Sequence, residues 1–484
     1  MENALKKFQI DYSNQDRVYY AGKYIRGKVL LELSEPIQLR SVILTISGRA
    51  RTHWTKKKRK SLSPGAPPVL NLYHGETKYV DHQTVLWGDQ AGYFDPQQPS
   101  FMPAGKYEFP FELELPHDCP TSFEGGSFGS IRYFCRATLD NPWYQDTHFK
   151  LPFTLIGMSD LNTDAHNSEP ITTEYAKVLY FNWLAGYVWS RVTIPYNGFV
   201  AGSVLNLCVG VGNWSSRKIK AVTLNLNQNT TYRAFRGDRW HARRSVRIAA
   251  ESVITDPIPQ HSFKDVVFSN FRFPAIAPSI SSCNIINVSY TLDVRVKPSG
   301  PFPQLDLSLP IVVGTVPLKQ TFEKPIIGVA GPAGSVPMGM SGPPMMGGYP
   351  MPMYPPGMPP MGGMPMGGMM PPMYAPAPPM PMMPQGPVHA VTVQPSTQPM
   401  NSYEGTPKLQ VTTCPFRESY PQLQPPIHEN CVFGKVNTQE PDDGDLTKGE
   451  LEFAPRYACF APRVILPPVL QIDYDPRVSG RTAC

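Results

Sequence analysis

Between Pro325 and Tyr403 the 484-residue sequence contains no aspartate, glutamate, lysine or arginine. Seventeen of its 20 methionines lie in residues 338–400, and 21 of its 56 prolines in residues 331–400. Such a tract has too little β-branched and aromatic surface to offset the entropy of ordering it, and disorder is expected there. No run approaches 18 consecutive apolar residues, which argues against a membrane-spanning helix. The first residues, MENALKKFQIDYSNQ, have no apolar signal-peptide core, and an ending at Cys484 is not a CaaX box. The eight cysteines (119, 135, 208, 283, 414, 431, 459 and 484) form no CxxC pair and no Cys/His set with zinc spacing. A reducing, cytosolic compartment is expected, with Cys135 a buried free thiol. The sequons at Asn213, Asn229 and Asn287 and the tripeptide Arg236-Gly237-Asp238 then read as chance matches.

Catalytic signatures are equally scarce. Gly125-Gly126-Ser127-Phe128-Gly129 is formally G-x-S-x-G, but a nucleophile elbow needs a strand before the serine and a helix after it. Here a loop precedes Ser127 and a strand-like run follows, so a glycine-rich turn is expected. The ten histidines make no HExxH pair, no phosphate-binding loop is present, and Asp442, Asp443 and Asp445 lack EF-hand spacing. No enzyme activity, cofactor or metal is expected. A net charge of +6 is too mild to imply nucleic acid.

What the first 320 residues do have is alternation. FPFELELP sets Phe109, Phe111, Leu113 and Leu115 against Pro110, Glu112 and Glu114. IRYFCRATLD sets Ile131, Tyr133, Cys135, Ala137 and Leu139 against Arg132 and Arg136, and YTLDVRVK repeats the pattern from Tyr290 to Val296. A period of two is the mark of a strand with one buried face, and many such strands predict antiparallel sandwiches. The pattern also recurs. YAGKYIRGKV from Tyr20 is similar to YNGFVAGSV from Tyr196, SVILTISG from Ser41 to AVTLNLNQ from Ala221, and LPFTLIG from Leu151 to LPIVVG from Leu309. One architecture used twice is expected, joined where SDLNTDAHNSEP breaks the alternation.

Several of these pieces resemble the arrestin domains. VYYAGKYIRGKVLLEL, PAGKYEFPFELELP and the run TSFEGGSFGSIRYFCRATLDNPW resemble the N-terminal arrestin domain. RVTIPYNGFVAGSVLNLCVGVGN and IINVSYTLDVRV resemble the C-terminal one. With its proline-rich tail, the chain is similar to the α-arrestins, the arrestin-domain-containing proteins. The resemblance implies an all-β chain of two tandem immunoglobulin-like sandwiches. Residues 1–158 form the N-like sandwich, 159–173 a linker, 174–320 the C-like sandwich, and 321–484 a disordered tail. It further implies a cytoplasmic adaptor, recruited to the plasma membrane and endosomes, that binds membrane-protein cargo. No nucleic acid partner is expected. The alternative is a sorting scaffold without a ligase, similar to the arrestin-like retromer subunit.

The tail contains Pro371-Pro372-Met373-Tyr374, a PPxY ligand of the kind WW domains hold in an aromatic groove. In α-arrestins such motifs recruit HECT-type ubiquitin ligases, which implicates Pro371, Pro372 and Tyr374. MPMY at 351–354, PPIH at 425–428 and APRY at 454–457 are degenerate versions. A flexible tail from Leu318 would place Tyr374 roughly 40 Å away, or about 170 Å if extended. Lys56, Lys57, Lys58, Arg59 and Lys60 are read as one basic loop facing solvent, with contact to anionic lipid headgroups or phosphorylated cargo as the functional alternative. Lys6 and Lys7 stand where arrestins that bind receptors carry basic residues. A second basic stretch, Arg233 to Arg247 with Phe235 and Trp240 interleaved, could face RNA, but the resemblance favours a domain loop and edge strand.

Overall fold

The computed structural model describes residues 4–58, 69–88, 101–322 apart from 144 and 182, 416, 418–434 and 453–461. In the N-terminal half the strands are β1 (Leu5–Tyr12), β2 (Val18–Tyr20), β3 (Tyr24–Leu33), β4 (Ile37–Gln38), β5 (Ser41–Lys58), β6 (Val69–Gly88), β7 (Phe101–Met102), β8 (Gly105–Glu114), β9 (Phe123–Glu124), β10 (Gly129–Asp140) and β11 (Thr147–Ile156). The C-terminal half holds β12 (Ile171–Phe181), β13 (Trp183–Ile194), β14 (Gly198–Val200), β15 (Val204–Ser215), β16 (Ile219–Arg236), β17 (Arg239–Ile254), β18 (Ser262–Arg272), β19 (Ile286–Pro298) and β20 (Leu305–Gly314). A single helical turn, α1 (Lys319–Phe322), closes it.

Each half is a two-sheet sandwich. In the first, β1-β3-β8 faces β6-β5-β10-β11-β2; in the second, β12-β13-β15-β18 faces β17-β16-β19-β20-β14; the two larger sheets are continuous where β16 pairs with β6 at Phe235 and His74. The alternating runs supply the inner faces as expected. Phe111, Leu115, Ile131, Tyr133, Cys135, Ala137 and Leu139 are buried, as are Tyr290, Leu292, Val294 and Val296. The polar positions between them reach the outside of the pleat. Arg132, one of these, forks onto the Glu124 carboxylate at 2.7 and 3.0 Å.

The internal repeat is real but its register differs from the Tyr20/Tyr196 match. β2 runs parallel to β11, and β14 runs parallel to β20. After each comes the same turn: Lys23 N donates to Tyr20 O, and Ser203 N donates to Val200 O, both at 3.1 Å. Gly22 (φ 72°) and Gly202 (φ 88°) occupy the left-handed position of these turns. Tyr20-Ala21-Gly22 is therefore equivalent to Val200-Ala201-Gly202, four residues beyond the Tyr196 alignment.

The join between the halves is tighter than a linker. Residues Leu161–Thr163 and Ala165–Ser168 form two 3-10 turns, capped by the Asp160 and Asp164 carboxylates. Leu161 is buried, and the Asn162 amide donates to Pro317 O at 2.9 Å. The strand that follows begins at Ile171, three residues before the expected domain start. Beyond α1, the expectation of one structureless tail over 321–484 does not extend to two short strands, β21 (Ile427–Asn430) and β22 (Arg456–Cys459), which pair antiparallel. No helix among the described residues is long and apolar enough to cross a membrane.

Candidate functional site

The domain junction is built on the TSFEG run. Thr121 Oγ1 accepts from Gly157 N at 2.8 Å, and Ser122 Oγ accepts from Leu155 N at 2.9 Å, so both hydroxyls tie the run to β11. The Glu124 carbonyl accepts from the Arg247 guanidinium at 2.9 Å, and the Gly125 carbonyl from Tyr232 Oη at 2.8 Å. Both donors belong to the second sandwich. A Cβ on Gly125 would sit 2.3 Å from Tyr232 Oη, so the approach of the halves requires glycine there. Gly125 N donates to Gly129 O, closing a β9–β10 hairpin with Ser127 exposed in its turn. The G-x-S-x-G match is therefore a hairpin, with a strand where an elbow needs a helix.

Across this junction lies the β21–β22 hairpin, a strap unseen in the sequence reading. Towards the first sandwich, buried Tyr457 donates its hydroxyl to Ser122 O at 3.0 Å. Arg456 donates from its backbone to Thr154 Oγ1 at 3.1 Å and from its guanidinium to Asp16 at 2.6 Å. The Phe416 ring meets Tyr20 edge-on at 5.4 Å. Towards the second, Phe460 N donates to Ala201 O at 3.0 Å and Val432 N to Ala275 O at 2.9 Å. Arg247 lies 4.0 Å over the Phe433 ring, and Arg272 pairs with Glu429 at 3.1 Å. Tyr420 reaches the join itself, donating to the Asp160 carboxylate. No local alternation marks this strap, since Tyr457, Ala458, Cys459 and Phe460 are buried in succession.

The electrostatics of the strap centre on His428. Its Nε2 lies 2.9 Å from Tyr20 Oη and its Nδ1 3.9 Å from Asp16. Burial pulls its pKa below the ordinary 6.5; Asp16 opposes that pull and Arg456 adds to it. The described cysteines are buried free thiols, Cys135 among them, and burial pushes Cys135 and Cys459 up to about 12. These are not nucleophiles at neutral pH.

The sequence-predicted residues scatter. Pro371, Pro372 and Tyr374 lie outside the described residues. Lys6 and Lys7 are exposed on β1, in the three-stranded sheet. Lys56 and Lys57 are exposed at the far end of β5, in the opposite sheet; Lys58 is also in that strand, and Arg59 and Lys60 lie outside the described residues. The basic run thus starts on a strand paired with β6, not on a loop, because the β5–β6 ladder continues to Lys58 opposite Val69. The two lysine groups do not share a sheet. Of the degenerate motifs, APRY contributes Tyr457 and PPIH contributes His428 to the strap. Asn213, a sequon, is fully buried and donates to Pro259 O at 2.7 Å.

Comparison with known proteins agrees with this architecture. Residues 8–162 match the arrestin (or S-antigen) N-terminal domain family and residues 185–318 the arrestin (or S-antigen) C-terminal domain family. The chain is similar to arrestin domain-containing protein 17 of Caenorhabditis elegans, 32% identical over 320 residues, covering 65% of this chain and 71% of that one. It is 30% identical to human arrestin domain-containing protein 4 over 303 residues (62% and 68%), and 25% identical to human arrestin domain-containing protein 1 over 339 residues (68% and 69%). Tandem sandwiches, a repeated parallel β2/β14 turn and these relatives lead to one assignment: the chain belongs to the arrestin domain-containing proteins.

Proposed function

We propose that this protein is a non-enzymatic trafficking adaptor. Its sandwiches hold membrane-protein cargo, and Pro371, Pro372 and Tyr374 recruit a WW-domain HECT-type ubiquitin ligase, promoting ubiquitin-dependent endocytosis and sorting at the plasma membrane and endosomes. The observation that carries this reading is the pairing, in one arrestin domain-containing chain, of a two-sandwich body with an uncharged proline-rich segment containing a complete PPxY. Polyproline ligands are partly preorganised, so a short motif suffices for recognition. Lys6, Lys7 and Lys56 to Lys60 would meet anionic lipid headgroups or phosphorylated cargo as two separate patches. The test is pull-down of the full chain by a fragment carrying several WW domains. Tyr374→Ala is expected to abolish capture; capture unchanged by that substitution would leave the ligase-free scaffold as the better description.

A further inference from the structure

The second arginine-rich stretch divides into two sets. Arg236, Arg243 and Arg247 belong to the junction: Arg236 donates to Asn71 at 2.6 Å, Arg243 lies 3.8 Å over the Phe128 ring, and Arg247 holds Glu124. Arg233, Arg239 and Arg244 are exposed, and no ion pair engages them among the described residues. Arg239 and Arg244 lie on β17, a sixteen-residue strand that among the described residues pairs only with β16. Among the described residues no backbone hydrogen bond joins the outer edge of β17, from Arg239 to Ile248, to any other segment. Alternate positions on this stretch present Trp240, Arg244, Val246 and Ile248, with Trp240 57%, Val246 62% and Ile248 50% exposed. The Phe235 ring props Trp240 edge-on at 4.1 Å.

A long exposed edge with aliphatic side chains is a template for strand addition unless something manages it. Among the described residues, arginine is the only management at one end and nothing covers the other. We propose that the outer edge of β17 takes an extended acidic peptide of a partner protein as an added strand. Main-chain hydrogen bonds would supply affinity and the alternate side chains specificity. On an antiparallel strand, aliphatic residues would oppose Ile248 and Val246, a carboxylate would oppose Arg244, and an aromatic residue would oppose Trp240. A second copy of this chain fits less well, because pairing through the same edge gathers the arginines of both copies, and like charges across strands destabilise. The surface is independent of ligase recruitment, so Tyr374→Ala should leave it unchanged.

The probe is a fluorescein-labelled peptide, Val-Thr-Val-Thr-Glu-Thr-Glu-Thr-Phe, titrated into the full chain by anisotropy. It should bind, bind less at high salt, and protect amides in residues 239–248 from hydrogen exchange. Its lysine-for-glutamate counterpart should not bind. Arg244→Glu should weaken binding about tenfold or more, and Val246→Thr, which keeps strand propensity, should weaken it less. Two N-methylated versions give the backbone signature: methylating every threonine amide, or every other amide, should abolish binding in one set only. The proposal is overturned if the glutamate peptide does not bind, if both N-methyl sets behave alike, or if protection falls outside β17. It is equally overturned if single-stranded RNA binds this edge more tightly than the peptide, or if the edge is already occupied by a dimer that Arg244→Glu dissociates.

Discussion

Gly202 meets two demands at once. Its φ is 88°, and a Cβ there would stand 2.3 Å from the Phe460 carbonyl, a backbone atom that cannot swing aside. Gly202→Ala should therefore loosen the strap and cost roughly 1–3 kcal/mol from the strained conformation alone, read as a lower denaturant midpoint of the full chain. Tyr457→Phe leaves the Ser122 carbonyl buried without its donor, a loss of about 1–2 kcal/mol measurable the same way. His428 adds a pH dependence whose sign follows from its lowered pKa. Above 6.5 the residue is neutral whether the strap is docked or free. As pH falls below that, the free strap binds the proton first, so docking weakens. Protection factors at residues 427–430, taken relative to the intrinsic exchange rate at each pH, should fall on going from neutral pH to about 5.5, and His428→Gln should flatten that response.

The strands that alternate over eight or more residues could be read directly: β10 and β19 bury the side chains their period marks, and β8 buries Phe111 with Phe109 and Leu113 half-buried beside it. β21 and β22 could not, because each is four residues long, and the partners of Tyr457, Arg456 and Phe460, which are Ser122, Thr154 and Ala201, lie 335, 302 and 259 positions earlier in the chain. No local period carries such information. The same limit explains the misplaced PPxY variants: APRY looks like a short linear motif until Tyr457 is found bonded to Ser122. The TSFEG run was recognised as a signature, but its reason, a set of hydroxyls and carbonyls that join two sandwiches, needed coordinates. Removing residues 453–484 deletes β22 and should raise hydrogen exchange at 121–125 and in β11. Unchanged exchange there would mean the strap contributes nothing to holding the halves together.

For the whole molecule the strap means that described residues on both flanks of the proline-rich segment are held by the sandwiches. The Phe322 and Tyr420 rings lie 6.0 Å apart, so the chain departs and returns at one place. Tyr374 stands 52 residues after Phe322 and 42 before Phe416. A tail tethered once could carry it about 180 Å at full extension; the shorter arm limits it to about 150 Å from Phe416. A single protease cut within 323–415 should leave two fragments that co-elute, whereas a tail tethered once would release its far piece. Because the Phe322 and Tyr420 rings meet and Tyr420 N donates to Phe416 O, a short link can bridge residues 322 and 416. Joining residue 322 to residue 416 through a few glycines and serines should leave the melting temperature of the paired sandwiches where it was, while removing every complete PPxY the chain owns.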